Sequence, residues 1–119
     1  MIGAALIGLV ALIHLGILAM EMFLWETPQV RRLFGTSPEF AANTRVLAAN
    51  QGLYNGFLAA GLILALLRGV PGQGESLAHF VLACVVVAGL YGAATAARRI
   101  LYVQALPAVL ALIAVLVGL

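Results

Sequence analysis

The chain has 119 residues, of which 65% are hydrophobic and only 8% charged, with a mean hydropathy of +1.16. That excludes an ordinary soluble domain, in which about 25% of residues are charged. The net charge of +2 comes from arginines grouped in three connectors; a nucleic-acid surface, which needs many basic residues on one water-facing side, is excluded.

The first predicted span covers residues 2–25 and meets the length of about 20 apolar residues that crosses a hydrocarbon core of about 30 Å. It lacks a basic start and a small-x-small cleavage site, so it reads as a retained helix and not as a signal peptide. His14, Leu18, Glu21 and Trp25 recur at steps of four, three and four, which is one stripe of a helix. His14 and Glu21 stand about 10 Å apart along the axis, too far for direct contact.

Residues 26–45 form an amphipathic connector. Glu26-Thr27-Pro28 closes the first helix, because proline disfavours helical geometry in the residue before it. Ser37-Pro38-Glu39 then reads as a helix start, with Ser37 as cap, Pro38 at the first helical position and Glu39 facing the positive end of the dipole. The second helix is expected to begin there on the membrane surface and to enter lipid near Val46, giving a span over residues 46–67. Its first turns carry Asn50, Gln51, Tyr54 and Asn55, with Gln51 and Asn55 on one face and Asn50 and Tyr54 on another.

Arg68 to Gly74, rich in glycine and proline, is a flexible turn. The third span, residues 77–97, has Tyr91 and Thr95 on one face in its last turns and His79 near its other end. Arg98-Arg99 marks a tight connection to a fourth span, residues 100–119, which opens with Tyr102 and Gln104. Pro107 cannot donate to the carbonyl of Val103, which leaves that oxygen free beside Gln104. Small residues at four-residue spacing, Gly52, Gly56 and Ala60 in the second span and Ala88, Gly92 and Ala96 in the third, suit close helix contact in lipid.

The expected fold class is therefore all-α, a four-transmembrane-helix bundle forming one integral membrane domain. The first and third connectors hold five of the six arginines. By the positive-inside bias they lie in the cytoplasm, with both termini outside, in the plasma (inner) membrane. This topology gathers the hydrogen-bonding residues of all four helices into one cytoplasmic-side layer.

Asn50-Gln-Gly-Leu-Tyr-Asn-Gly-Phe-Leu-Ala-Ala-Gly61 is preceded by Glu21-Met-Phe-Leu-Trp25 and followed by Ala88-Gly-Leu-Tyr-Gly-Ala93 and Gln104-Ala-Leu-Pro-Ala108. With these four motifs in order, the chain resembles the bacterial and fungal membrane family called domain of unknown function 1304, over essentially its whole length. The resemblance implies a four-helix integral membrane protein with no established activity and no assigned catalytic residue.

The candidate ligand-binding residues are His14, Glu21, Trp25, Asn50, Gln51, Tyr54, Asn55, Tyr91, Thr95 and Gln104. An intramembrane carboxylate is costly, so Glu21 reads as a protonatable ligand or coupling residue, or else as a side chain that snorkels to water or stays protonated and hydrogen-bonded. His14 is a satisfied packing residue or a relay partner for Glu21. The Asn50, Gln51 and Asn55 cluster divides between ligand contact and interhelical glue; Trp25, Tyr54 and Tyr102 divide between an interfacial aromatic belt and a substrate cage. Cys84 is the single cysteine, so no intrachain disulfide forms, and within its apolar run it reads as a buried small hydrophobe. No metal or cofactor is expected; haem held by His14 and His79 fails because the two lie at different depths.

The leading function is binding or movement of a small amphipathic molecule through a cytoplasm-facing pocket, with the lipid bilayer and a second copy in a homodimer as partners and no nucleic acid. The competing readings are an intramembrane enzyme using Glu21 and His14 as acid and base on a lipid-like substrate, and an accessory subunit whose polar layer only holds helices together.

Overall fold

The chain is helical along most of its length, the form in which a backbone satisfies its own polar groups. The computed structural model describes residues 1–119, and its elements in chain order are α1 (Ile2–Met22), α2 (Pro28–Phe34), α3 (Pro38–Asn43), α4 (Arg45–Arg68), α5 (Glu75–Thr95) and α6 (Leu106–Leu116). α1, α4 and α5 are long and apolar enough to cross a membrane, whereas the apolar helical stretch Leu101–Leu116 is shorter. The chain is thus all-helical with three to four helices of membrane-spanning character.

By its contacts the chain divides into two compact units, Met1–Ile13 with Leu58–Leu119, and His14–Phe57. In the first unit the core is built from Ile7 and Val10 of α1, Leu62 of α4, Leu82 and Val85 of α5, and a row of small residues. Ala65, Ala78, Ala108 and Ala111 are fully buried in it. Apolar burial gives helices no drive to associate in lipid, so close backbone approach through small side chains has to supply the packing. Gly89 shows how close that approach is: a Cβ there would lie 2.9 Å from the backbone nitrogen of Ala105.

In the second unit the end of α1, the two short connector helices and the start of α4 pack together, with Val30, Ala41 and Ala48 buried. α1 stops at Met22 instead of running to Trp25. Continuing the helix would require the Leu24 carbonyl to accept from an N–H that Pro28 lacks, and it accepts instead from the Thr27 hydroxyl at 2.7 Å and the Thr27 N–H at 3.0 Å. Thr27 also caps α2, accepting from the Val30 N–H at 3.4 Å, with Pro28 in the first helical turn. α2 ends at Gly35, whose φ of 69° is the left-handed conformation that glycine adopts without steric cost. Ser37 caps α3 as its sequence signals, accepting from the Phe40 N–H at 3.1 Å.

The expected continuous passage from Pro38 into lipid is broken at Thr44. Its hydroxyl donates to the Phe40 carbonyl at 2.7 Å, its own carbonyl accepts from the Ala48 N–H at 2.8 Å, and α4 starts afresh at Arg45. Ahead of α6 the chain accommodates Pro107 with a wide turn over Leu101–Ala105, in which the Leu106 N–H reaches the Leu101 carbonyl. The ring of a proline crowds the carbonyl four residues before it, and widening the preceding turn relieves that contact.

Candidate functional site

The carboxylate of Glu21 is built into the unit His14–Phe57 by two features of α4. Gly52 and Gly56 come first: a Cβ on Gly52 would lie 2.6 Å from Met22 Cγ, 3.1 Å from Glu21 Cβ and 3.2 Å from the Leu18 carbonyl oxygen, and one on Gly56 would lie 2.6 Å from Leu18 Cδ1. The absence of side chains at these positions lets the last turns of α1 lie directly on α4. Asn55 comes second, on the same stretch. Its Nδ2 donates to Glu21 Oε1 at 2.8 Å and to the Gln51 carbonyl at 3.0 Å. With both amide protons committed to acceptors, the side chain is oriented and its nitrogen is fixed against the carboxylate. Glu21 is half-buried, and Asn55 supplies its hydrogen bond from one side only.

Trp25 stands beyond the end of α1 and is clamped by the connector. Its indole N–H donates to Thr44 Oγ1 at 3.1 Å, and its ring meets Phe34 edge-on with centroids 5.0 Å apart. Thr44 thereby does two jobs, starting α4 and holding the tryptophan. Helix-start chemistry does not mark this residue, because its hydroxyl serves Phe40 and Trp25 and not the first N–H groups of α4. Phe34, on a seven-residue helix, has no periodicity to mark it.

The other candidates in this unit point elsewhere. Asn50 is exposed and donates to the Val46 carbonyl of its own helix at 3.0 Å. Gln51 contributes its backbone carbonyl to the Asn55 amide while its side chain is exposed. Tyr54 is 60% exposed, with its ring set edge-on to Phe57 at 5.9 Å. His14 is enclosed by protein at 1% exposure. Tyr91, Thr95 and Gln104 belong to the other unit: Tyr91 is 71% exposed, the Thr95 hydroxyl turns back to the Tyr91 carbonyl at 2.7 Å, and Gln104 is half-buried in the wide turn before α6. The Glu21–Asn55 bond joins the side chains of two candidates across two long helices.

This arrangement can hold a polar group at the edge of the hydrocarbon layer. α1 has 21 residues, about 31 Å of helix at 1.5 Å per residue, which matches a core of about 30 Å. Glu21 is the penultimate residue of this helix.

A family profile, "Protein of unknown function (DUF1304)", matches residues 8–116. The chain belongs to this family. The Glu21 to Asn55 stretch lies wholly inside the DUF1304 match. The chain is also similar to the "Uncharacterized protein YpaA" of Lactococcus lactis subsp. lactis (strain IL1403), 32% identical over 107 residues that cover 88% of each chain. No solved structure matches. Membership in DUF1304 agrees with the resemblance read from the four sequence motifs, and it carries no activity with it.

Proposed function

We propose that this DUF1304 protein spans the plasma membrane four times, with both termini outside the cytoplasm, and binds a small amphipathic molecule at the Glu21–Asn55 pair, as a binding protein or, with a second copy, as a transporter. The observation that carries the reading is the carboxylate of Glu21 held at 2.8 Å by Asn55 at the boundary depth of its helix. An amphipathic ligand has the matching geometry: a polar head that meets the carboxylate at the boundary and an apolar tail that lies along the lipid-facing side chains. Trp25, clamped by Thr44 and Phe34, would cover the head from the connector side. Exposed Asn50, Gln51 and Tyr54 supply hydrogen-bonding groups for the second copy, because such groups contribute to helix association in lipid.

His14, buried and two helical turns from Glu21, stands about 10 Å away along the axis, too far to meet the carboxylate directly, so binding is favoured over catalysis. A second reading, helix cohesion within an accessory subunit, draws support from Asn50, Asn55 and Thr95, each of which spends a donor on its own helix.

Photolabelling separates the two readings. A decyl chain bearing a polar head and a diazirine beside that head is irradiated with the protein in lipid nanodiscs, and the labelled peptides are mapped by mass spectrometry. Binding predicts label concentrated on the segment around Glu21, competed by unlabelled amphiphile. Label spread evenly along all lipid-facing helices would overturn it in favour of cohesion.

A further inference from the structure

We infer that the molecule taken at Glu21 carries a cationic head, such as an alkylammonium; the inference rests on the binding site proposed above and adds the charge of its ligand. A carboxylate at membrane depth has to be neutralised by a proton or by a cation, and intramembrane charges ordinarily pair with one another. No arginine of the unit His14–Phe57 pairs with Glu21. Of the three arginines in this unit, Arg31 donates its Nε to the Glu26 carbonyl at 3.1 Å, and Arg32 and Arg45 are exposed. The group that does reach Glu21 is the neutral amide of Asn55. It orients one carboxylate oxygen and contributes no countercharge.

The packing limits which groups can complete the pair. Gly52 and Gly56 seat Leu18 and Met22 directly on α4, so the helix contact itself is closed to a ligand. Access is from the half-exposed side of Glu21. A head approaching there meets a carboxylate whose Oε1 is already bonded. An anionic head would be repelled, a neutral donor would gain one hydrogen bond, and an ammonium would gain a charge-assisted bond as well as charge neutralisation, the stronger class of contact. Trp25, four residues on from Glu21 in the same unit, carries a ring of the kind that attracts quaternary and primary ammonium groups.

Isothermal titration of the full chain in phosphatidylcholine nanodiscs, with empty discs as baseline, tests the assignment using three probes of one chain length: decyltrimethylammonium, decyl maltoside and decanoate. The expected result is saturable binding of decyltrimethylammonium above the baseline, weakened at least about tenfold in Glu21→Gln, the scale of one charge-assisted contact. That variant can still accept from Asn55 and so keeps the helix pair; Glu21→Asp should retain part of the affinity, and Glu26→Gln, at an exposed carboxylate, should bind as the parent does. Saturable binding of all three probes with equal affinity, lost in Glu21→Gln, would overturn the cationic head and leave the site standing. Undiminished cation binding by Glu21→Gln would overturn the cationic assignment at this residue. No saturable binding of any probe would overturn both the assignment and the site.

Discussion

Replacing Gly52 with alanine tests the contact on which the site is built. A Cβ at this position would stand 2.6 Å from Met22 Cγ, 3.1 Å from Glu21 Cβ and 3.2 Å from the Leu18 carbonyl oxygen, whereas carbon atoms rest at about 3.5–4.0 Å. Met22 can rotate away, but Glu21 Cβ and the Leu18 carbonyl move only with the backbone of α1. The helices must therefore separate by several tenths of an ångström, carrying the 2.8 Å Glu21–Asn55 bond toward the limit of a good hydrogen bond. Overpacking costs about 1–3 kcal/mol, and a weakened interhelical hydrogen bond adds about 0.6 kcal/mol. Alanine is a better helix former than glycine by up to about 1 kcal/mol, so the control is Gly16→Ala on α1, where an added Cβ meets nothing within 4 Å. Reversible unfolding in mixed micelles, followed by the fluorescence of the single tryptophan, reads both variants. Gly52→Ala should be less stable than Gly16→Ala by about 1–3 kcal/mol. Equal stabilities would refute the close α1–α4 contact.

Thr44→Val removes the acceptor for the Trp25 indole and the donor to the Phe40 carbonyl; it should cost about 1 kcal/mol, redden the tryptophan emission and raise its quenching by acrylamide. Gly89→Ala should destabilise the protein by about 1–3 kcal/mol in the same unfolding assay, because the nearest atoms at 2.9–3.0 Å include the backbone of Ala105, which cannot rotate aside. For the orientation, Ser37→Cys in a Cys84→Ala background should resist a membrane-impermeant maleimide in intact cells and react after lysis; labelling in intact cells would reverse the topology.

The long elements were legible because their signals are strong: apolar runs of spanning length for α1, α4 and α5, and the Ser37-Pro38-Glu39 start for α3. Glu21 and Asn55 were legible as polar residues on small-residue-rich helices in lipid, and the glycines at 52 and 56 marked where two helices could touch. The sequence could not say which polar residues would meet. Spacing places Gln51 and Asn55 on one face, yet Gln51 contributes its backbone and turns its side chain outward, because an amide four residues along a helix can reach the preceding carbonyl. The same local bond satisfies Asn50 and Thr95. Trp25's partners were hidden for another reason: Thr44 and Phe34 lie in short elements whose arrangement is set by tertiary contacts and not by periodicity. The stop of α1 at Met22 is a turn ahead of Pro28, in which the Leu24 carbonyl accepts from Thr27, and hydropathy does not register it.

The most direct test of the central claim, that Glu21 is a ligand contact, is difference infrared spectroscopy of the protein with isotope-labelled glutamate. Spectra of the parent and of Glu21→Gln are compared in nanodiscs with and without decyltrimethylammonium. A Glu21 carboxyl band that shifts on adding the amphiphile, and has no counterpart in Glu21→Gln, is the result expected. A Glu21 band unmoved at saturating amphiphile would contradict it, leaving the Glu21–Asn55 bond as a tie between helices.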